Sequence, residues 1–425
     1  MKFKLLFILL ITVLTIGLST ISIKAIPAFS RKYKTSCVTC HAIYPKMTPF
    51  GEAFRINGYQ YPKDDEDKVK EEPVSMGSES NKKVWPNSVW PSSMPGTAPF
   101  ALRARSAFQV TTVDSATTSE FVMPAVQLLA AGTLGEDITV FVGAHLFENG
   151  EAGSLDRFYI KFDNLLTKWI PQHALYIQVG QFIPEMVPFA THHRGLTNSA
   201  YAMNTYDPSM GRKFVAGHVH GATTFGIENF QLGLEASGIL KSRFRYVLSM
   251  VNGNGAFEDV NASKDFYGRL AYKFGGMGYD GSSKINSENP EASVVEKSVA
   301  IGVFGYKGVG TKDGIDFDFY RVGSDINIYL NKFNIIGGYI NGINGTAANQ
   351  KYDLYYAEVD YAMYPWLTGL LRYERANPGT LESVSQVIPH ISALVVANMK
   401  FKIETVLNPE DIKFNNLYLG FEVAL

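Results

Sequence analysis

The chain has 425 residues and a net charge of −1, with 39 Lys and Arg against 40 Asp and Glu. That balance excludes the global electrostatic attraction on which nucleic-acid binding relies. Only 19% of residues are charged, below the ~25% usual in soluble domains, whereas 13% are aromatic and 38 are Gly, a mixture suited to extended, twisted strands rather than to a helical enzyme.

In chain order, Lys2 and Lys4, the apolar run Leu5 to Leu18 and the small Ala25 predict a secretory signal over residues 1–25. Leu5 to Ile23 nearly reaches the ~20 apolar residues of a spanning helix, so an uncleaved anchor is the rival reading. Beyond residue 25 no run approaches that length, and any membrane span there must be made of strands.

Residues 26–62 form a compact unit that contains both cysteines of the chain, in "TSCVTCHAIYPK". Cys37-Val38-Thr39-Cys40-His41 has the C-x-x-C-H spacing that attaches c-type haem. Thiols three positions apart reach the two vinyl groups of one porphyrin, and the adjacent His41 becomes the proximal iron ligand. A disulfide or a Cys-x-x-Cys redox pair does not need His41. A structural zinc needs a fourth ligand and usually a second Cys or His pair, and residues 26–99 supply none. One covalent haem c is the expected cofactor. Phe50, Phe54 and Tyr59 are expected to pack the porphyrin, and Arg55, with Arg31 as a weaker candidate, to pair with its propionates.

Residues 63–99 open with "KDDEDKVKEE" and continue through Ser, Asn and Pro, as a linker does. From Phe100 to Leu425 short alternating segments dominate. In Tyr320 to Leu330, Val322, Ile326 and Ile328 oppose Arg321, Asp325 and Asn327. An apolar face toward lipid and a polar face toward a wet lumen produce this period of two. Strands are predicted at 100–113, 121–133, 138–148, 156–164, 173–182, 222–239, 243–252 and 264–274. The second half gives 297–307, 316–330, 333–343, 352–363, 366–376, 387–396, 399–407 and 414–425. The predicted fold is mainly β: a transmembrane antiparallel barrel of about 16 strands, preceded by a small, partly helical haem segment. One connection strains the scheme, because 275–296 is long yet falls on the short-turn, periplasmic side. No longer repeat emerges beyond the hairpin rhythm, which disfavours a propeller.

The stretch "IPAFSRKYKTSCVTCHAIYPKMTPFGEAFRINGYQYP" resembles the N-terminal segment of the fused outer-membrane cytochrome–porins of iron(II)-oxidising bacteria. The shared pattern is Pro27, Phe29 and Arg31, then the haem motif, Pro45, and the run Phe50, Gly51, Phe54, Arg55, Gly58 and Tyr59. The resemblance implies an outer-membrane electron-transfer protein whose extracellular donor is iron(II), handing electrons to a periplasmic carrier such as a soluble cytochrome c. A solute-selective porin with a haem-bearing plug is the alternative, as is a conduit for another donor or acceptor. The chain is thus read as a redox protein, with iron(II) oxidase activity an open possibility and no catalytic acid or base expected.

The distal iron ligand is open. Met47 is only six residues past His41, and His192, His193, His218 and His220 fall in the long segment 183–221. Lumen-facing Asp325, Glu358, Asp360, Glu374, Glu404 and Glu422 are expected to attract a cation.

Overall fold

A computed structural model describes residues 28–70 and, further on, 100–113, 116–134, 137–148, 150–185, 230–253, 261–282, 296–312, 315–344, 350–377, 383–410 and 413–425. Short pieces at 74–75, 79–84, 86, 93–94, 206–207 and 211–212 complete the described chain. Most of the predicted linker, the signal stretch and the four histidines between 192 and 220 lie outside it.

The barrel strands are β1 (Phe100–Val113), β2 (Ala116–Leu134), β3 (Ile138–Glu148), β4 (Leu155–Phe162), β5 (Tyr176–Phe182), β6 (Gln231–Leu240), β7 (Phe244–Val251) and β8 (Asp265–Gly275). They continue as β9 (Glu296–Lys312), β10 (Ile315–Asn331), β11 (Phe333–Asn344), β12 (Gln350–Tyr364), β13 (Leu367–Asn377), β14 (Val384–Val396), β15 (Met399–Asn408) and β16 (Lys413–Ala424). Each pairs antiparallel with its sequence neighbour, and β16 closes on β1 with Ala424 opposite Arg103. Closure leaves no unpaired edge, the condition for a strand-built span. The predicted sixteen strands are all present.

Two differences have physical causes. The stretches 114–120 and 308–315 read as polar loops, yet β1–β2 pairs to Val113 opposite Ala116 and β9–β10 to Lys312 opposite Ile315. A ladder that leaves the lipid needs no apolar face, so its outer part carries no alternation. The long 275–296 connection is also explained in part. Gly275 and Gly276 have positive φ, and Met277 and Tyr279 then pack against the N-terminal segment inside the barrel mouth.

The two faces of the wall divide as the alternation predicts. Leu248, Phe266, Val303, Val322, Leu371 and Phe401 are exposed on the outside. At the short-turn rim Phe333 stacks on Tyr361 and Tyr364 on Trp366 (4.5 and 5.5 Å), as in an interfacial aromatic girdle. The lumen-predicted Asp325, Glu358, Asp360, Glu374, Glu404 and Glu422 are all buried inside. They are not open cation sites, because each has a partner in the wall or the plug. Arg269 holds Asp325 (2.8 Å), Arg372 lies between Glu358 and Glu374 (3.5 and 3.1 Å), Lys46 pairs with Asp360, and His390 meets Glu404 (2.7 Å).

Candidate functional site

Residues 28–70 fold inside the barrel, at the end that carries the short turns. Four helices organise them: α1 (Ala28–Tyr33), α2 (Cys37–Cys40), α3 (Pro49–Ile56) and α4 (Asp65–Lys68), with a small hairpin of His41–Ile43 and Lys46–Met47 between α2 and α3. The charge run does not leave this unit at once. Asp65 accepts from Tyr33 (2.8 Å) and from the Tyr61 amide (2.6 Å), and the Lys70 amide donates to the Lys32 carbonyl (2.8 Å).

The segment touches the wall around its circumference. Lys46 pairs with Glu358 (3.4 Å) and Asp360 on β12, and Lys400 of β15 donates to the Tyr44 carbonyl. Thr139 of β3 donates to the Gly58 carbonyl (3.1 Å), Lys161 of β4 to the Ile56 carbonyl, and Tyr176 of β5 to Asn57 (3.3 Å). Arg245 of β7 reaches Glu52 (3.3 Å). Gly58 sits at φ +73°, and a Cβ there would run into Thr139 and Asp163, so the tip of this turn can lie flat on the wall only as glycine.

Thr48 builds the local geometry of the cysteine turn. Its amide donates to the Cys40 carbonyl (2.9 Å), its hydroxyl donates to the Thr39 carbonyl (3.0 Å), and the same oxygen accepts from the Gly51 amide as the N-cap of α3 (3.0 Å). Gly51 packs directly under Cys40, where a Cβ would stand 1.9 Å from the carbonyl oxygen. This contact assigns a steric role to the Phe50-Gly51 part of the pattern noted in the sequence.

The thiols of Cys37 and Cys40 are free. Burial pushes both thiols up, Cys40 to about 12, so each is protonated as it stands in the cavity wall. Among the described residues no group of three or more His, Cys, Asp and Glu side chains is placed to hold a metal ion. Burial pushes His41 down to about 4, leaving a neutral imidazole. Its Nδ1 lies 3.3 Å from the Pro45 carbonyl. Because a carbonyl only accepts, Nδ1 carries the proton and Nε2 keeps its lone pair for a ligand.

Cys37, Cys40 and His41 line one cavity between the segment and the wall. Phe29, Phe54 and Tyr59 form its segment side; Leu129, Phe141 and Leu394 contribute from the barrel. Phe29 stacks on Tyr59 (5.2 Å), Tyr59 on Phe141 (5.7 Å) and Phe141 on Tyr159 (5.3 Å). Two free thiols and a neutral imidazole facing one apolar cavity meet the chemical requirements of a covalently attached haem.

The other predicted site residues are distributed differently. Phe54 and Tyr59 line the cavity, whereas Phe50 packs on Tyr61 (5.1 Å). Arg55 points elsewhere, bonded to Glu52 (2.8 Å) and paired with Glu185, and Arg31 donates to the Phe100 carbonyl (2.9 Å). Met47 is the cross-strand partner of His41, so both side chains leave the hairpin on the same face, and both line the cavity. His192, His193, His218 and His220 lie outside the described residues. Arg103 and Lys400 of the wall also line the cavity. They were missed because their alternation marks them only as lumen-facing, and nothing local ties them to a motif some 60 or 360 positions away.

No family model and no curated protein matches this sequence. The fold does match solved structures. An anion-selective porin from Comamonas acidovorans superposes with a TM-score of 0.56 at 8% identity, over 77% of this chain and 99% of that one. OmpF of Salmonella typhi, solved with daunomycin, superposes with a TM-score of 0.51 at 10% identity, over 79% and 98%. At such identities the likeness is one of fold: the barrel is porin-like.

Proposed function

We propose that the chain is an electron-transfer protein of the bacterial outer membrane, in which a segment bearing covalent haem c fills the periplasmic end of a porin-like barrel. The observation that carries this reading is the convergence of Cys37, Cys40 and His41 on one apolar cavity shared by segment and wall. A haem bound there supplies one-electron chemistry. Cys37 and Cys40 attach it, His41 offers Nε2 to the iron, the Pro45 carbonyl fixes that tautomer, and Phe29, Phe54, Tyr59 and Phe141 keep water out. Such a site needs no general acid or base. Covalent attachment suits a segment too small to retain a cofactor by burial alone.

The donor follows from the N-terminal resemblance: extracellular iron(II), with a periplasmic carrier such as a soluble cytochrome c as acceptor. Stopped-flow mixing of the oxidised protein with iron(II) is expected to reduce the haem. Failure to reduce it, with a redox titration showing the potential accessible to iron(II), sinks the iron reading while leaving electron transfer intact.

A second reading is a solute-selective channel with a haem-bearing plug. The porin-like fold favours it, and so does a crevice on the other side of the segment whose lining includes the charged Glu52, Arg245, Arg269 and Lys273. Conductance separates the two, as set out below.

A further inference from the structure

Four basic residues of the N-terminal segment, Arg31, Lys32, Lys46 and Arg55, do not line the candidate haem cavity. Arg31 is held by the Phe100 carbonyl, Lys32 lies 3.7 Å from Asp65, Lys46 is held by Glu358 and Asp360, and Arg55 by Glu52 and Glu185. The cations that do face the cavity belong to the barrel wall: Arg103 on β1 and Lys400 on β15, which are 7% and 3% exposed. Both converge on Glu422 of β16, Arg103 Nε at 2.6 Å and Lys400 Nζ at 3.1 Å, and Lys402 Nζ lies 3.8 Å from the same carboxylate. Arg105 belongs to this group, and Glu404 is its other carboxylate. Among the described residues, Arg103 and Lys400 are the two Lys or Arg side chains that line the cavity, and they share the one carboxylate, Glu422, that lines it with them. In a low-dielectric setting a buried cation is stabilised by each further anion that reaches it. The wall also grips the segment here, since the Arg103 guanidinium lies 4.6 Å from the centre of the Tyr44 ring and Lys400 donates to the Tyr44 carbonyl.

We propose that Arg103 and Lys400 receive the two propionate carboxylates of the haem, so that the cofactor is held between the segment that bonds it and the barrel wall that neutralises it. This rests on the haem reading above. Two propionates would give Arg103 and Lys400 a carboxylate each beside the Glu422 that they share. Arg103 presents a planar fork suited to a carboxylate, and Lys400 a point charge. Lys402 belongs to the same charge group but does not line the cavity. The barrel then has a second role beyond spanning the membrane: it sets the haem potential, because a nearby cation favours the reduced, less positive state.

The test compares the full-length wild type with Arg103→Gln, Lys400→Met and Lys402→Met. Two quantities are read: the propionate bending bands in the resonance Raman spectrum and the midpoint potential. Arg103→Gln and Lys400→Met are expected to move the propionate bands and lower the midpoint. At the wild-type midpoint their haem should be about tenfold more oxidised than reduced, the effect of one poorly screened charge. Lys402→Met should lower the midpoint without moving the bands. Should Arg103→Gln fail to assemble, Arg103→Lys keeps the charge, and is expected to hold the midpoint while still shifting the bands. Unmoved propionate bands in the Arg103 and Lys400 variants, with haem present, overturn this assignment alone. Equal band shifts in Lys402→Met do the same. A wild-type chain without covalent haem overturns the haem reading and this assignment together.

Discussion

Cys37→Ser combined with Cys40→Ser is expected to abolish covalent haem while the barrel still assembles. The two effects separate because neither cysteine belongs to the wall. The wall is closed by its own ladder, with β16 on β1, and needs no cross-link. Haem staining on denaturing gels should disappear, and the folded barrel should keep its heat-dependent mobility. Either single substitution leaves one thiol at the cavity and should give a haemochrome spectrum displaced toward that of a haem with one thioether. A double variant that retains haem resistant to extraction would place the attachment elsewhere.

The intact protein is expected to conduct far less than an open barrel of the same strand number, because 16-stranded porins normally leave an aqueous channel and here a segment bonded to β3, β4, β5, β7, β12 and β15 crosses the lumen. The anchor with the largest energetic weight is Lys46, almost fully buried between Glu358 and Asp360. Removing one partner of such a group costs about 3–5 kcal/mol, because the opposing charges stay buried. Lys46→Met should therefore raise the open fraction in single-channel recordings by about a hundredfold or more. A wild-type protein with a steady, porin-sized conductance would favour the solute channel.

The wall was legible from the sequence because a two-sided strand must alternate. The segments drawn at 100–113, 138–148 and 333–343 match β1, β3 and β11 to within a residue. At the hairpin between β10 and β11, Asn331 adopts positive φ, as Asn tolerates best. Strand ends beyond the lipid were not legible, since paired backbone there carries no pattern of side chains. The Cys-x-x-Cys-His grouping was legible because it is local: two thiols and an imidazole within five residues.

The surroundings of the motif were less so. Arg55 looked like a propionate partner from its place in the Phe54-Arg55 run, but a helix face is decided by what lies across from it. Here that is Glu185 and, through Glu52, Arg245. Arg103 and Lys400 meet Tyr44 only because the segment turns back into the barrel, and nothing in local spacing encodes that docking. Likewise, Asp65 sits in a run that reads as solvated, yet Tyr33 and Tyr61 draw it into the segment.

The most direct test of the central claim is a pyridine haemochrome assay on the purified full-length protein after acidic acetone extraction. The account predicts one haem per chain that resists extraction and shows the spectrum of a porphyrin carrying two thioethers. A chain with no haem, or with haem that the solvent removes, would contradict it.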